Sequence, residues 1–204
     1  MSMGSDISGN RRIPQQERGE RRVAGLLEAA AAEFVEVDYD AATMKAIAKR
    51  AGASIGAVYQ YFPNKAAIVS ALRTQYVNEI EERWIHLEEA TAGLSVKERT
   101  QGFVDLMIRF IEERPAYTTI IDAPADSKRD KKTRDRLRER LANVIRTRRP
   151  AFSQEQAYRV ASVSLQMIKS MNTLYADAKP QERLEIAREY KLALIAYLEK
   201  RLTS

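Results

Sequence analysis

Residues 43–65 read TMKAIAKRAGASIGAVYQYFPNK. Met44, Ile47, Ala48 and Ala51 fall at i, i+3, i+4 and i+7, which is one face of a helix. Gly52 breaks that pattern and adopts a left-handed turn at little cost. Ser54 is a good N-cap for a second helix, because its hydroxyl accepts from an orphan backbone N–H. That helix is short, since Pro63 disfavours the helical region for Phe62. Asn64 caps a third helix that begins at Lys65. Two short helices around a glycine turn form a helix-turn-helix pattern, whose second helix can enter the major groove of DNA. Spacing alone does not separate this pattern from an ordinary helical hairpin.

The wording of the stretch does more. Thr43, Ile47, Ala48, Ala51, Gly52, Ser54, Gly56, Tyr59, Tyr61, Phe62 and Lys65 together resemble the DNA-binding signature of the TetR family of bacterial transcriptional regulators. The resemblance runs without a gap over roughly Val23 to Leu72. It implies an all-α fold: an N-terminal three-helix helix-turn-helix DNA-binding domain, then a C-terminal helical domain for ligand binding and dimerisation. It further implies a ligand-responsive repressor that holds a palindromic operator as a dimer and is released by a small-molecule effector. Asp38 and Tyr39 stand where the family usually has Gly followed by an aromatic residue. Asp visits the left-handed region more readily than most residues, so the departure is mild.

Each residue of the motif has a chemical role open to it. Gln60 can offer a bidentate amide to adenine, and Ala57 can meet a thymine methyl. Gly56 allows close backbone approach. Tyr59, Tyr61, Thr43 and Lys65 can reach phosphates, which set register rather than sequence. Lys45 and Ser54 complete the expected DNA-facing set. Ile55 is ambiguous: it shares its spacing with Val58, Tyr59 and Phe62, which favours burial, whereas the resemblance puts it at the DNA surface. We expect it to be exposed, reading thymine methyls or shape.

Composition narrows the alternatives. The chain has 204 residues, no Cys, one His and a net charge of +6. Without Cys there are no disulfides, thiolate metal sites or thiol nucleophiles. No phosphate loop or paired-carboxylate motif is present, so an enzyme is disfavoured, and no cofactor or metal is expected. No apolar run is long enough to span a bilayer. A reducing cytoplasm is the expected location. Up to residue 65 acidic and basic side chains nearly cancel, so overall charge is poor evidence for DNA binding.

Along the chain we expect about nine helices, well above the usual helix share. Residues 1–14 read as a disordered leader or a cloning remnant. Arg11, Arg12, Arg18, Arg21 and Arg22 form either a solvated arm or an arm to phosphate and the minor groove. The DNA-binding domain is expected over 15–65 and the helical ligand-binding and dimerisation domain over 66–204. Helix 1 runs from Gln15 to Val37, with Val23, Leu26, Leu27, Ala30, Ala31 and Phe34 inward. Helix 4 is long enough to touch both domains. Ser95 with Glu98, and Ser153 with Gln156, are capping boxes. Asp126 or Ser127 caps a basic helix reaching Arg149, with Leu137, Leu141, Val144 and Ile145 inward. Its Lys128, Arg129, Lys131, Lys132, Arg134, Arg136, Arg138 and Arg140 read first as a solvated face; the rival is contact with an anionic ligand, membrane surface or acidic partner. The last two helices are too apolar to cover one small core, which points to a homodimer through them. Met107, Phe110, Tyr117, Ile121, Met167, Met171 and Tyr175 are the ligand-pocket candidates, for an apolar or aromatic effector. A helical protein-interaction module without operator binding is the alternative to the regulator.

Overall fold

The computed structural model describes residues 15–124 and 128–203. The expected leader 1–14 and the expected caps Asp126 and Ser127 lie outside the described residues. The described residues form helices α1 (Gln15–Ala41), α2 (Met44–Arg50), α3 (Ile55–Tyr61), α4 (Lys65–Ala90), α5 (Val96–Glu113), α6 (Tyr117–Asp122), α7 (Lys128–Arg148), α8 (Gln154–Asp177) and α9 (Pro180–Thr203), with no strand among them.

Local chemistry sets most of these boundaries. Thr43, Ser54 and Asn64 each accept a hydrogen bond from the backbone N–H three residues on, capping α2, α3 and α4. Such caps contribute about 1 kcal/mol each. Phe62, ahead of Pro63, is extended and closes α3. Both capping boxes form, Ser95 with Glu98 on α5 and Ser153 with Gln156 on α8. The carboxylate of Glu98 is held below its ordinary pKa by the Ser95 hydroxyl and backbone N–H.

The N-terminal head packs α1 behind α2 and α3. Leu26, Leu27, Ala30 and Phe34 of α1 meet Ile47 and Ala48 of α2, Val58 of α3 and Phe62 in one buried cluster. The cluster does not stop at the head. It continues through Ile68, Leu72, Tyr76 and Ile80 of α4 into Phe110, Ile120, Ile145, Met171 and Leu194 of the C-terminal helices. α4 spans about 39 Å at 1.5 Å per residue and packs on α1, α5, α6 and α7. The short α6 also packs on α1, so it too bridges head and body.

α7 departs from the expected solvated face. Arg136 pairs with Glu81 of α4 at 2.8 Å, and Arg140 pairs with Glu88 while its guanidinium lies 5.6 Å from the centre of the Trp84 ring. Long stems and charged heads thus strap α7 onto α4, whereas Lys131 and Lys132 remain exposed. The helix ends at Arg148, one residue before the expected end, and buries Thr133 and Ala142 beside Ile145. No helix among the described residues is long and apolar enough to cross a membrane.

α1 is broken at Asp38, whose φ of 65° and ψ of 169° lie outside the helix and in a region that strongly favours glycine. Its own side chain accepts from the Tyr39 N–H at 2.8 Å, which offsets part of the strain. Replacing Asp38 with Gly should therefore raise stability by about 1 kcal/mol. A urea-unfolding midpoint that stays put or falls would contradict this.

Candidate functional site

α3 is anchored from one side only. Val58 is fully buried and Phe62 nearly so, and they hold the helix against the head. Among the described residues, its other side carries no neighbour of that kind. Ile55 is 43% exposed and Tyr59 51%, with Gly56, Gln60 and Tyr61 exposed beside them and Ala57 half-buried. The burial that periodicity suggested for Ile55 does not occur, because the core behind α3 is already filled by Val58 and Phe62. The turn before α3 requires Gly52, whose φ is +61°. At Gly56 a β-carbon would meet nothing, so that side of the helix is open for another molecule.

The rest of this surface is sparsely charged. Lys45 and Lys49, one turn apart on α2, are both exposed. Lys49 was not singled out from sequence, although its spacing from Lys45 was the signal. Arg50 is committed elsewhere: its Nε donates to Glu33 at 3.0 Å and a second nitrogen to Glu36, tying α2 to α1. Thr43 Oγ1 accepts from the Ala46 N–H at 3.1 Å, which leaves its own hydrogen to donate outward. Lys65 does not simply extend into solvent. Its Nζ donates to the carbonyls of Tyr39 at 2.7 Å and Asp40 at 3.1 Å, and lies 4.7 Å from the centre of the Tyr39 ring. An ammonium has three donors, so one remains after these two bonds.

A second candidate region lies inside the C-terminal helices. A cavity of about 200 Å3 is lined by Met107, Tyr117 and Ile121, together with the polar Arg73, Thr133 and Asn172. A neighbouring apolar cavity of about 100 Å3 is lined by Trp84, Leu87, Leu194 and Leu198. The two share Phe103, Leu165 and Ile168 as a common wall. Arg73 is buried on α4, and its guanidinium donates to the carbonyls of Ile120, at 3.0 Å, and Ala123 at the end of α6. Burial pushes the Tyr117 phenol well above its ordinary pKa, so it is a neutral hydroxyl.

Comparison with known proteins matches both parts of the chain to one family. Residues 26–72 match the model of the bacterial regulatory proteins of the tetR family, and residues 95–198 match that of the tetracyclin repressor-like C-terminal domain. The chain belongs to the TetR family. It is 32% identical over 114 residues to the HTH-type transcriptional repressor KstR of Rhodococcus jostii, covering 55% of this chain and 48% of that protein. It is 40% identical over 140 residues to an uncharacterized HTH-type transcriptional regulator of Mycobacterium tuberculosis, covering 64% of each. The matches thus span about half to two-thirds of these relatives. Among solved structures, a TetR-family regulator from Streptomyces coelicolor superposes with a TM-score of 0.69 at 25% identity, covering 89% of this chain and 99% of that one. FadR from Bacillus subtilis, solved in complex with stearoyl-CoA, gives a TM-score of 0.66 at 14% identity, covering 85% and 98%.

Within the TetR fold, the sequence-based pocket candidates divide. Met107, Tyr117 and Ile121 line the larger cavity. Phe110 does not: it packs in the core, edge-on to Tyr117 at 5.2 Å. Met171 is fully buried core, and Met167 is half-buried against that core and lines neither cavity. Tyr175 donates to Glu112 at 2.8 Å and stacks under Arg183, away from both cavities. Arg73, Trp84, Thr133 and Asn172 were missed. For Arg73 and Asn172 the available signal was a polar residue placed inside an otherwise apolar helical face.

Lys65→Met should lower stability by about 1 kcal/mol through loss of its carbonyl bonds. Differential scanning calorimetry on the isolated protein, without DNA, measures this. An unchanged melting temperature would mean that the Tyr39 and Asp40 contacts hold nothing together.

Proposed function

We propose that this chain is a ligand-responsive repressor that binds a near-palindromic operator as a homodimer and is released when an effector occupies its C-terminal cavity. The observation that carries the reading is the one-sided anchoring of α3. Val58 and Phe62 face the core, and Ile55, Gly56, Tyr59 and Gln60 face outward. In the groove, Gln60 reads adenine, while Ile55 and Ala57 meet thymine methyls. Thr43, Lys45, Ser54, Tyr59, Tyr61 and the third donor of Lys65 hold phosphates and fix register. With so few cations on α2 and α3, the salt dependence of affinity is modest unless the arm of Arg11, Arg12, Arg18, Arg21 and Arg22 contributes.

Dimerisation through α8 and α9 is supported by what these helices leave uncovered. Val163, Met167, Ser170 and Leu174 recur on one face of α8, with Val163 and Leu174 exposed. On α9, Leu184 and Leu192 are exposed, Leu192 at 65%. A twofold pairing of these faces would bury them and set two heads for half-sites about 34–36 Å apart or multiples of that.

Release requires an effector that binds the non-DNA conformation more tightly. Tyr117 on α6 and Arg73 on α4 both line the cavity, and both helices pack on α1. An occupant that shifts either one acts on the head directly. The apolar lining favours an apolar or aromatic effector. KstR is a repressor by name, and the stearoyl-CoA in FadR is an acyl ligand of a protein of this fold, which fits that class.

Fluorescence anisotropy with DNA flanking the protein's own gene tests the reading. Gln60→Ala should cost about 1–3 kcal/mol at one base pair and relax specificity there. Lys45→Ala should weaken operator and scrambled DNA alike and reduce the salt slope by about 1. Equal, weak binding to both DNAs by the wild type, unchanged by either substitution, would favour a protein-interaction module instead.

A further inference from the structure

The smaller cavity is apolar inside and cationic at its rim. Trp84, Ile168, Leu194 and Leu198 line its inner part and are all buried. At the rim stand Arg99 of α5, half-buried, and Arg148 of α7, exposed. The two meet because both reach the turn that follows α4. Arg99 Nε donates to the Leu94 carbonyl at 3.1 Å, and a terminal nitrogen of the same side chain donates to the Ala92 carbonyl. Arg148 donates to that same Ala92 carbonyl at 3.4 Å. Carbonyls past a helix end hold arginines well, but they are neutral and leave the charge uncancelled.

Neither arginine forms an ion pair among the described residues. The carboxylates on the neighbouring turns are spent elsewhere, Glu88 on Arg140 and Glu98 in its capping box. Burial, and then the charge of Arg148, hold the Arg99 guanidinium below its ordinary pKa. Two like charges held side by side disfavour each other, and an anion placed between them removes that cost. The donors for such an anion are present. A guanidinium carries five N–H groups, and carbonyls take two from Arg99 and one from Arg148.

We propose that the smaller cavity binds a slim amphiphile with an anionic oxygen head, held between Arg99 and Arg148, and with its chain running inward toward Trp84. Carboxylate and phosphate both match the paired N–H groups of a guanidinium. The chain is slim because the cavity, at about 100 Å3, is smaller than the ~150 Å3 one known to take benzene. An ammonium head is repelled at the rim, and a neutral amide forms no charge-assisted bond there. Phe103, Leu165 and Ile168 also wall the larger cavity, so an occupant here presses on the side chains that border Arg73 and Tyr117. The proposal rests on the effector reading above and narrows it to a head-group charge and an entrance, at the end of α4 opposite the head.

Trp84 is the chain's one tryptophan and lines the cavity, so its emission reports occupancy without any label. The probes are octanoate, octyl phosphate, octanamide and octylamine, titrated into the full chain. At least one of the two anions should bind about ten-fold more tightly than octanamide, and octylamine more weakly than octanamide. Whichever anion binds more tightly identifies the head group. The preference should shrink in Arg148→Gln, an exposed position whose substitution is compatible with folding, and vanish in Arg99→Gln/Arg148→Gln. Equal affinities for anion and amide, a preference for octylamine, no response to any probe, or an anion preference undiminished in Arg148→Gln would each overturn the proposal. Operator release by the tighter anion is measured separately by anisotropy. Charge-selective binding without release would contradict the effector reading and leave the anion site standing.

Discussion

Arg73 sits buried on the long helix α4 with its guanidinium on the last carbonyls of α6. A buried guanidinium is tolerated only where its donors are matched, since removing it from water costs several kcal/mol. Here the C-terminus of a short helix supplies both carbonyls and the negative end of its dipole. The consequence is geometric. α4 and α6 are locked together at the point where each also packs on α1, and the cavity opens against both. The head and the C-terminal helices therefore share one continuous core rather than meeting at a loose linker.

The head itself owes little to net charge. Arg50 spends its charge on Glu33 and Glu36, and Lys65 spends two donors on carbonyls at the kinked end of α1. Asp38 holds that end in a strained conformation. These contacts fix how α1, α2 and the start of α4 meet, and so fix the angle at which α3 is displayed. What is left for a partner, besides the exposed Lys45 and Lys49, is shape and hydrogen bonding: an open backbone at Gly56, the amide of Gln60, the ring edges of Tyr59 and Tyr61, and the exposed Ile55.

The parts legible in the sequence were those set by local rules. Gly52, Ser54, Asn64 and the two capping boxes act within a few residues of themselves, and each element they bound lies where expected. The family resemblance resolved Ile55, which periodicity alone had turned inward. The parts that stayed hidden depend on distant partners. Arg136 and Arg140 looked solvated because Glu81 and Glu88 lie more than fifty residues earlier in the chain. The cavity was half-visible for a related reason. Spacing shows that Phe110, Met171 and Tyr117 turn inward, but not which of them borders a space and which borders another side chain. Arg73 and Asn172 were the better clues, being polar residues that the apolar faces around them could not have needed for packing.

The central claim is that α3 reads DNA as one half of a twofold pair. Affinity selection of genomic fragments by this chain tests it most directly, because it presumes neither an operator nor an effector. The account predicts enrichment of one near-palindromic sequence whose half-sites are separated by a whole number of helical turns. Fragments no different from the input, or a single unrepeated site, would contradict it.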